Sequence, residues 1–497
     1  MCERRPSSRV RTTPPLRHNT TRILPDRPLI PIGPDHFHRS AHLVGIAGAG
    51  MRALAELLCD WGWKITGSDA QPSAHSWAAL TRRGLRISNR HAAENLPPAC
   101  RLVIYSAAVP ENNPERAAAA QRGIEQISYP EMLGRLMNSR TGVAIAGTHG
   151  KSTVTALLGW ILRSAGRDAS LLCGATLCGV QSAGWGGSDQ LLVAESCEYR
   201  RHFHQLRPQL ATVLDIEPDH FDSFPTQSDA IAAYSDFIRQ IAPAGLLVCR
   251  AGRSAINSAL GCAPVRVVTF DVDGPADWVA RNIIPRNGAT QFRMEHRGAH
   301  AIDCTLPLPG RHNILNALAA AALADELGID REALAHGLQT FPGLRRRFEF
   351  LGAWKGVDLI DDYAHHPSAI SAVLRTAREQ FPTRRLWAVF QPHQVSRTVA
   401  LQSQFAASLA LADEVLVSPV YAAREQVGRQ PFDVAETLAR SVSPLAGRAR
   451  FVPSLDHVLS TLETDARPGD VVVIMGAGDI EQVRDELCRR IQRNHAS

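Results

Sequence analysis

The stretch Gly142-Val143-Ala144-Ile145-Ala146-Gly147-Thr148-His149-Gly150-Lys151-Ser152-Thr153-Val154-Thr155-Ala156-Leu157-Leu158 decides how the chain is read. An apolar, strand-like run enters a turn with two glycines and leaves through a helix-like run, the context that a phosphate-cradling loop needs. Backbone N–H groups of the turn and of the helix start converge on phosphate oxygens, Lys151 adds a mobile positive charge, and the Ser152 hydroxyl is a ligand for Mg²⁺. Gly147, Thr148, His149, Gly150, Lys151, Ser152 and Thr153 are therefore the expected ATP-binding residues. Ile145 stands where the longer GxxxxGK[ST] pattern has its first Gly, so the loop is a shortened variant.

Working outward, strand-like and helix-like runs alternate through most of the 497 residues, which implies an α/β protein built on parallel sheets with helical crossovers. A chain of this length holds about three domains. Beyond the loop, Leu191–Ala194 reads as a strand that delivers Glu195 to its C-terminal end, and Ala211–Ile216 as one that delivers Glu217-Pro218-Asp219-His220. Parallel strands bring both ends to the rim beside the loop. Ser152, Glu195 and His220 are on that ground the expected Mg²⁺ ligands, two oxygen donors and one imidazole.

Two further blocks flank this one. The first runs from the strand His42–Ile46 through the turn Ala47–Gly50 and a helix over Met51–Trp61 to the strand Trp63–Thr66, which ends at Gly67-Ser68-Asp69. Asp69 lies 19 residues beyond Gly50, where a dinucleotide fold places its ribose-binding acid. The last block begins near Leu344, with strands expected at Asp358–Ile360, Leu386–Phe390, Glu414–Val417, Arg450–Val452 and Asp470–Met475. Polar clusters at Asp361–Pro367 and Gln391–Arg397 follow two of these strands, on the edge where a doubly wound sheet binds ligands. The expected boundaries are a tail over 1–38, a Rossmann-like domain over 39–138, a central ATP-binding domain over 139–343 and a Rossmann-like C-terminal domain over 344–497.

Composition excludes several classes. The net charge is +6, but residues 1–40 hold eight Arg and no Lys against Glu3, Asp26 and Asp35, so the remainder is near neutral and charge gives no support to nucleic-acid binding. Seven prolines in the same stretch argue for disorder over 1–38. No run approaches the ~20 apolar residues that cross a bilayer; Ala317–Ala324 reads instead as a helix packed on a sheet. Ten cysteines without a CxxC pair suggest reduced thiols in a cytoplasmic protein rather than a metal cage.

A set of motifs in fixed order resembles the Mur ligase family: GIAGAGM at Gly45–Met51, GSDA at Gly67–Ala70, YSAAVP at Tyr105–Pro110, GTHGKS at Gly147–Ser152, AESCEY at Ala194–Tyr199, IEPDH at Ile216–His220, GRHNILNALAA from Gly310, RRRFE from Arg345, DDYAHHP at Asp361–Pro367, FQPHQVSRT at Phe390–Thr398 and GAGDI at Gly476–Ile480. The resemblance implies an N-terminal UDP-sugar domain, a central ATPase and a C-terminal domain that closes over the site. It places Gly48, Gly50 and Met51 against the UDP-sugar pyrophosphate, with Ser68, Asp69 and Ser106 nearby. It assigns Asn313 and Asn316 to adenine, and Arg346, Arg347 and Asp362 to the nucleotide from the closing domain. His365 and Arg397 fall on the amino-acid side, and with Lys151 and His220 they complete the catalytic set.

The implied reaction joins L-alanine to UDP-N-acetylmuramate through an acyl phosphate made with ATP and Mg²⁺. The sequence departs from the family at Ala47, at Ser152, within AESCEY, and at Gln394, which stands where an Arg is usual beside the amino-acid carboxylate. Ala364 and the Glu198-Tyr199 pair are reminiscent of the related ligase that adds a recycled tripeptide to the same sugar. A nicotinamide-dependent oxidoreductase would fit the first Gly-rich turn but not the second, ATP-type loop, and a nucleotide-binding scaffold would not need Lys151, Ser152, Glu195 and His220 intact.

Overall fold

The computed structural model describes residues 39–496 apart from 262, 424, 426–429 and 447, so the expectation for 1–38 lies outside the described residues. The N-terminal sheet holds β1 (Ser40–Val44), β2 (Lys64–Ser68), β3 (Arg86–Ser88), β4 (Leu102–Tyr105) and β5 (Glu125–Ser128), all parallel in the order β3-β2-β1-β4-β5. The helix read as Met51–Trp61 spans Ala49–Asp60 and starts directly from the Gly-rich turn. Its apolar stripe, Met51, Leu54, Leu57 and Leu58, is fully packed, as helical spacing requires.

The central sheet has ten strands: β6 (Thr141–Ala146), β7 (Ser170–Leu172), β8 (Gly184–Trp185), β9 (Leu191–Glu195), β10 (Leu210–Val213), β11 (Leu246–Arg250), β12 (Arg266–Asp271), β13 (Trp278–Arg286), β14 (Ala289–His296) and β15 (Ala299–Leu306). Their order is β15-β14-β13-β12-β11-β10-β6-β9-β7-β8. Strand β6 is buried on both faces: Val143 and Ile145 enter one hydrophobic cluster, Ala144 and Ala146 the other. That alternation is why the run reads as continuously apolar. Ala317–Ala324 lies within the helix Arg311–Glu326 and is fully buried. All-parallel alternation does not hold throughout: β13, β14 and β15 form an antiparallel meander and β8 runs antiparallel to β7. The hairpin turns there carry Gly288 and Gly298 at φ of +69° and +66°, each in a short loop of the kind that joins antiparallel strands.

The C-terminal sheet comprises β16 (Glu349–Trp354), β17 (Val357–Asp362), β18 (Leu386–Phe390), β19 (Glu414–Val417), β20 (Ala449–Phe451) and β21 (Val471–Met475), ordered β16-β17-β21-β18-β19-β20 with only β16 antiparallel. Strands β18 and β19 match their expected bounds, β17, β20 and β21 differ by one or two residues at one or both ends, and the antiparallel edge strand β16 was not among those expected.

One carboxylate welds the first domain to the second. Glu56, 1% exposed, accepts hydrogen bonds from the Ala183 and Gly184 backbone N–H groups at 2.8 and 3.0 Å and from the Ser182 hydroxyl at 2.8 Å. Arg52 donates to Thr176 at 2.6 Å beside it. At Gly184 a Cβ would collide with the Ala53 carbonyl, so the helix and the β8 strand touch backbone to backbone. Glu56→Ala leaves the two buried N–H groups of Ala183 and Gly184 without an acceptor, each worth about 1–3 kcal/mol, while the Ser182 hydroxyl keeps the Gly184 carbonyl at 2.6 Å. We expect the first thermal transition to fall by several degrees, measured by calorimetry against an exposed control such as Glu436→Ala.

Candidate active site

The phosphate loop is shaped by two backbone approaches. Gly147 has φ +132° and a Cβ there would sit 2.8 Å from the Leu214 amide; Gly150 has φ +80° and a Cβ there would meet the Asn316 Oδ1 atom and, at 3.1 Å, Leu214. Only glycine fits such positions. Gly150 is also the N-cap of the helix Lys151–Ser164, so the first helical N–H groups open onto the loop. The Thr148 hydroxyl accepts the Glu217 N–H at 2.9 Å, which ties the loop to the segment after β10.

Lys151 folds back. Its Nζ donates to the Gly147 carbonyl at 2.6 Å and to both Glu198 oxygens at 3.0 and 2.9 Å. Burial works against the charge, but Glu198 overrides it and raises the ammonium above its ordinary pKa. Ser152 Oγ lies 2.9 Å from Glu195 Oε2, which also takes the Gly174 N–H at 2.7 Å. His220 is held at φ +51°, its Nε2 3.8 Å from Glu198 and its ring 5.2 Å from that of Tyr199. Glu198 thus stands between the loop lysine and His220, a position the sequence reading did not give it. The signal was present in AESCEY, where Glu198 follows Glu195 by three residues.

Asn313 and Asn316 meet on the first turns of the helix Arg311–Glu326: Asn316 donates to the Asn313 side chain at 3.3 Å, and Asn313 to the Pro309 carbonyl at 2.7 Å. His312 beside them is pushed down to about 4 by burial and by Arg347.

A cavity of about 570 Å³ joins the three domains. Gly48, Gly50, Met51 and Ser106 line it from the first domain, Ser152 and Glu195 from the second, and Arg346, Arg347 and Tyr363 from the third. Ser68 and Asp69 are placed otherwise. Ser68 is wholly buried and donates to Glu115 at 2.5 Å, within a cluster that includes His91. Asp69 accepts the Ala47 N–H at 3.0 Å and so shapes the Gly-rich turn from behind. Arg52, Tyr129, Thr176, His202 and Arg484 line the cavity without having been singled out in the sequence.

The C-terminal contributors divide. Arg346, at φ +60°, reaches the Gly476 carbonyl at 2.7 Å and Glu481 at 3.3 Å, and both Arg346 and Arg347 sit 5.1 Å over the Tyr363 ring. Asp362 points inward, accepting the Phe348 and Ala364 N–H groups at 2.8 and 2.7 Å; it orders the turn that carries these arginines. His365 Nδ1 donates to the Tyr363 carbonyl at 2.9 Å, and burial with Arg397 nearby holds the imidazole neutral, well below its usual pKa. Arg397 is 1% exposed and paired: Nε and Nη2 lie 2.8 and 2.6 Å from Asp219 Oδ1, and Nη1 is 3.2 Å from His393. Sequence reasoning left Asp219 without a role because nothing local marks a partner 178 residues away.

Comparison with known proteins agrees with this architecture. The Mur ligase family, catalytic domain, matches residues 40–141, the Mur ligase middle domain 145–324, and the Mur ligase glutamate ligase domain 346–478. The chain belongs to the Mur ligase family. It is 36% identical over 460 residues to a UDP-N-acetylmuramate–L-alanine ligase of Chlorobium phaeobacteroides, spanning 92% of this chain and 98% of that one. Among solved structures it is similar to a UDP-N-acetylmuramate–alanine ligase of Thermotoga maritima (TM-score 0.76, 27% identity, 92% and 99% covered). A murein peptide ligase of Psychrobacter arcticus is also similar (TM-score 0.70, 27% identity, 91% and 98% covered).

His312 generates a pH prediction. Its folded pKa of about 4 lies below the ordinary value near 6.5, so between those limits the unfolded chain binds the proton and the folded chain does not. Stability is therefore full above about 6.5 and falls as pH drops toward 4, by at most about 3 kcal/mol. His312→Gln should flatten that part of the melting-temperature profile, and imidazole NMR should find His312 neutral at pH 5.

Proposed function

We propose that this chain, with conversion of ATP to ADP and phosphate, joins L-alanine to UDP-N-acetylmuramate, the ligation for which its similar relatives are named. The observation that carries the reading is the convergence of Ser152 from the phosphate loop, Glu195 and a set of arginines on one cavity shared by three domains. The products feed peptidoglycan synthesis, and ATP with a UDP-sugar as substrates assigns the reaction to the cytoplasm. Among the described residues no helix is long and apolar enough to cross a membrane.

The chemistry follows from the groups present. The sugar's carboxylate attacks the γ-phosphorus, the bond to the β-phosphate oxygen breaks, and ADP leaves with those electrons. The amine of L-alanine then attacks the acyl carbon, forms the C–N bond and expels phosphate, losing a proton. Lys151 and the loop amides oppose charge on the transferred group. Gly48, Gly50, Met51 and Ser106 face the sugar nucleotide, and Asn313 and Asn316 the adenine. Arg346 and Arg347 close on the phosphates from the third domain, where they exclude water from the acyl phosphate. His365, neutral with Nδ1 committed to a carbonyl, leaves Nε2 to accept a hydrogen bond from the incoming amine and so position it.

Two of the donors have the spacing of Mg²⁺ ligands. Two ligand oxygens on one octahedral ion with bonds of about 2.05 Å lie about 2.9 Å apart, and Ser152 Oγ to Glu195 Oε2 is 2.9 Å. Ser152, Glu195 and His220, with Glu198 beside them, would hold the ion, which neutralises phosphate charge when bound.

Two variants test the reading. Lys151→Ala should lower phosphate release by about 10²–10³, since a lost donor at developing charge weakens transition-state binding by ~3–4 kcal/mol. Arg397→Ala should raise the KM for L-alanine and leave that for ATP nearly unchanged, because the guanidinium, though shared with Asp219, belongs to the same motif as Gln394 and lies 3.2 Å from His393. The assay is phosphate release with ATP, Mg²⁺, UDP-N-acetylmuramate and either L-alanine or L-Ala-γ-D-Glu-meso-diaminopimelate. Preference for the tripeptide, or release indifferent to the UDP-sugar, would overturn the assignment.

A further inference from the structure

The side chains of Glu217, His366 and His149, the last read above as part of the ATP loop, carry no step of the chemistry just described, yet their ligand atoms all lie within 4.8 Å of one another. They come from three motifs: the phosphate loop, the segment after β10, and the turn after β17 in the third domain. Glu217 Oε2 is 3.3 Å from His149 Nε2 and 3.6 Å from His366 Nδ1. A tetrahedral ion with bonds of about 2.0–2.1 Å sets neighbouring ligand atoms about 3.3–3.4 Å apart, so these separations already approximate tetrahedral edges. The Ser368 hydroxyl bridges the cluster, hydrogen-bonded to Glu217, 2.6 Å from His366 Nδ1 and 3.3 Å from His149 Nε2; two of these contacts are shorter than tetrahedral edges, so it holds the donors together until an ion displaces it.

The surroundings orient the donors. His366 Nε2 donates to the Pro218 carbonyl at 3.1 Å, which leaves the Nδ1 lone pair on the side of the Ser368 hydroxyl, 2.6 Å away, beside Glu217. The Glu217 backbone is pinned by Thr148, and its second oxygen lies 3.9 Å from Arg253. Side-chain exposures of 29%, 23% and 4% for His149, Glu217 and His366 leave a path for an ion to enter. Two imidazoles and one carboxylate select a borderline-soft transition metal over Mg²⁺.

We propose that His149, Glu217 and His366 form a site for a divalent transition-metal cation of the Zn²⁺ type, which staples the third domain to the phosphate loop. A stapled seam hinders the opening that releases products, so the bound ion inhibits turnover. Inhibition rests on the ligase reading above; binding does not.

The test uses the full chain in excess Mg²⁺, with Zn²⁺ affinity read by competition with a chromophoric chelator and coordination read from Co²⁺ visible absorption. We expect one tightly held Zn²⁺ per chain and an intense, tetrahedral-type Co²⁺ spectrum. Glu217→Gln and His366→Gln should each weaken Zn²⁺ by at least about 100-fold, beyond the 10–100-fold typical of losing an outer partner. Glu195→Gln, in the Mg²⁺ set, should not change Zn²⁺ affinity. Equal Zn²⁺ affinity in the parent and both variants, or a weak six-coordinate Co²⁺ spectrum, overturns the site. Zn²⁺ binding without ligase activity would remove the ligase reading and keep the site; ligase activity without Zn²⁺ binding would do the reverse.

Discussion

The left-handed Gly150 at the mouth of the helix Lys151–Ser164 is the constraint on which the rest depends. Its missing side chain lets the loop press against Leu214 and the Asn316 amide at once. A single contact thereby sets the phosphate loop, the end of β10 and the helix bearing Asn313 and Asn316 in one relation. From that relation Lys151 reaches Glu198, and Ser152 reaches Glu195. A residue with a Cβ at this position would move the loop away from the asparagines, and the nucleotide's two ends would lose their common frame.

The two domain seams are built from different chemistry. Glu56 binds the first seam through backbone N–H donors and small residues, which have no alternative geometry at that distance. The second seam uses Arg397 with Asp219, and His366 with Glu217 and the Pro218 carbonyl. Groups of that kind exchange partners readily, and a buried ion pair contributes little net stability while leaving a costly orphan if one member is removed. Near it, Arg346 and Phe348 adopt φ of +60° and +47°, a strained turn of the sort that concentrates where a site must be shaped.

The acids around the loop show how burial and charge compete. Desolvation alone would raise Glu217, yet the His149 hydrogen bond and charge carry it down to about 2. Asp361 goes the other way, raised to about 6 because burial outweighs Arg346 and Arg484. Two carboxylates in one molecule therefore differ through what faces them, not through their own chemistry.

Much of the fold was legible in the chain because its signals are local. The order strand, glycine turn, lysine, helix marks the phosphate loop; β18 and β19 show as apolar runs bounded by polar residues; Ala317–Ala324 declares a helix that packs closely. The motifs also assembled Ser152 with Glu195, and Gly48, Gly50, Met51 and Ser106 on one cavity. What the sequence could not determine depends on direction and on distant partners. The β13–β15 meander pairs antiparallel where alternation suggested crossovers, Ser68 turns inward to Glu115, and Arg397 finds Asp219 across the chain. Residue types and spacing state which chemistry is available; which way each side chain faces is decided by packing and charge among segments that meet only after folding.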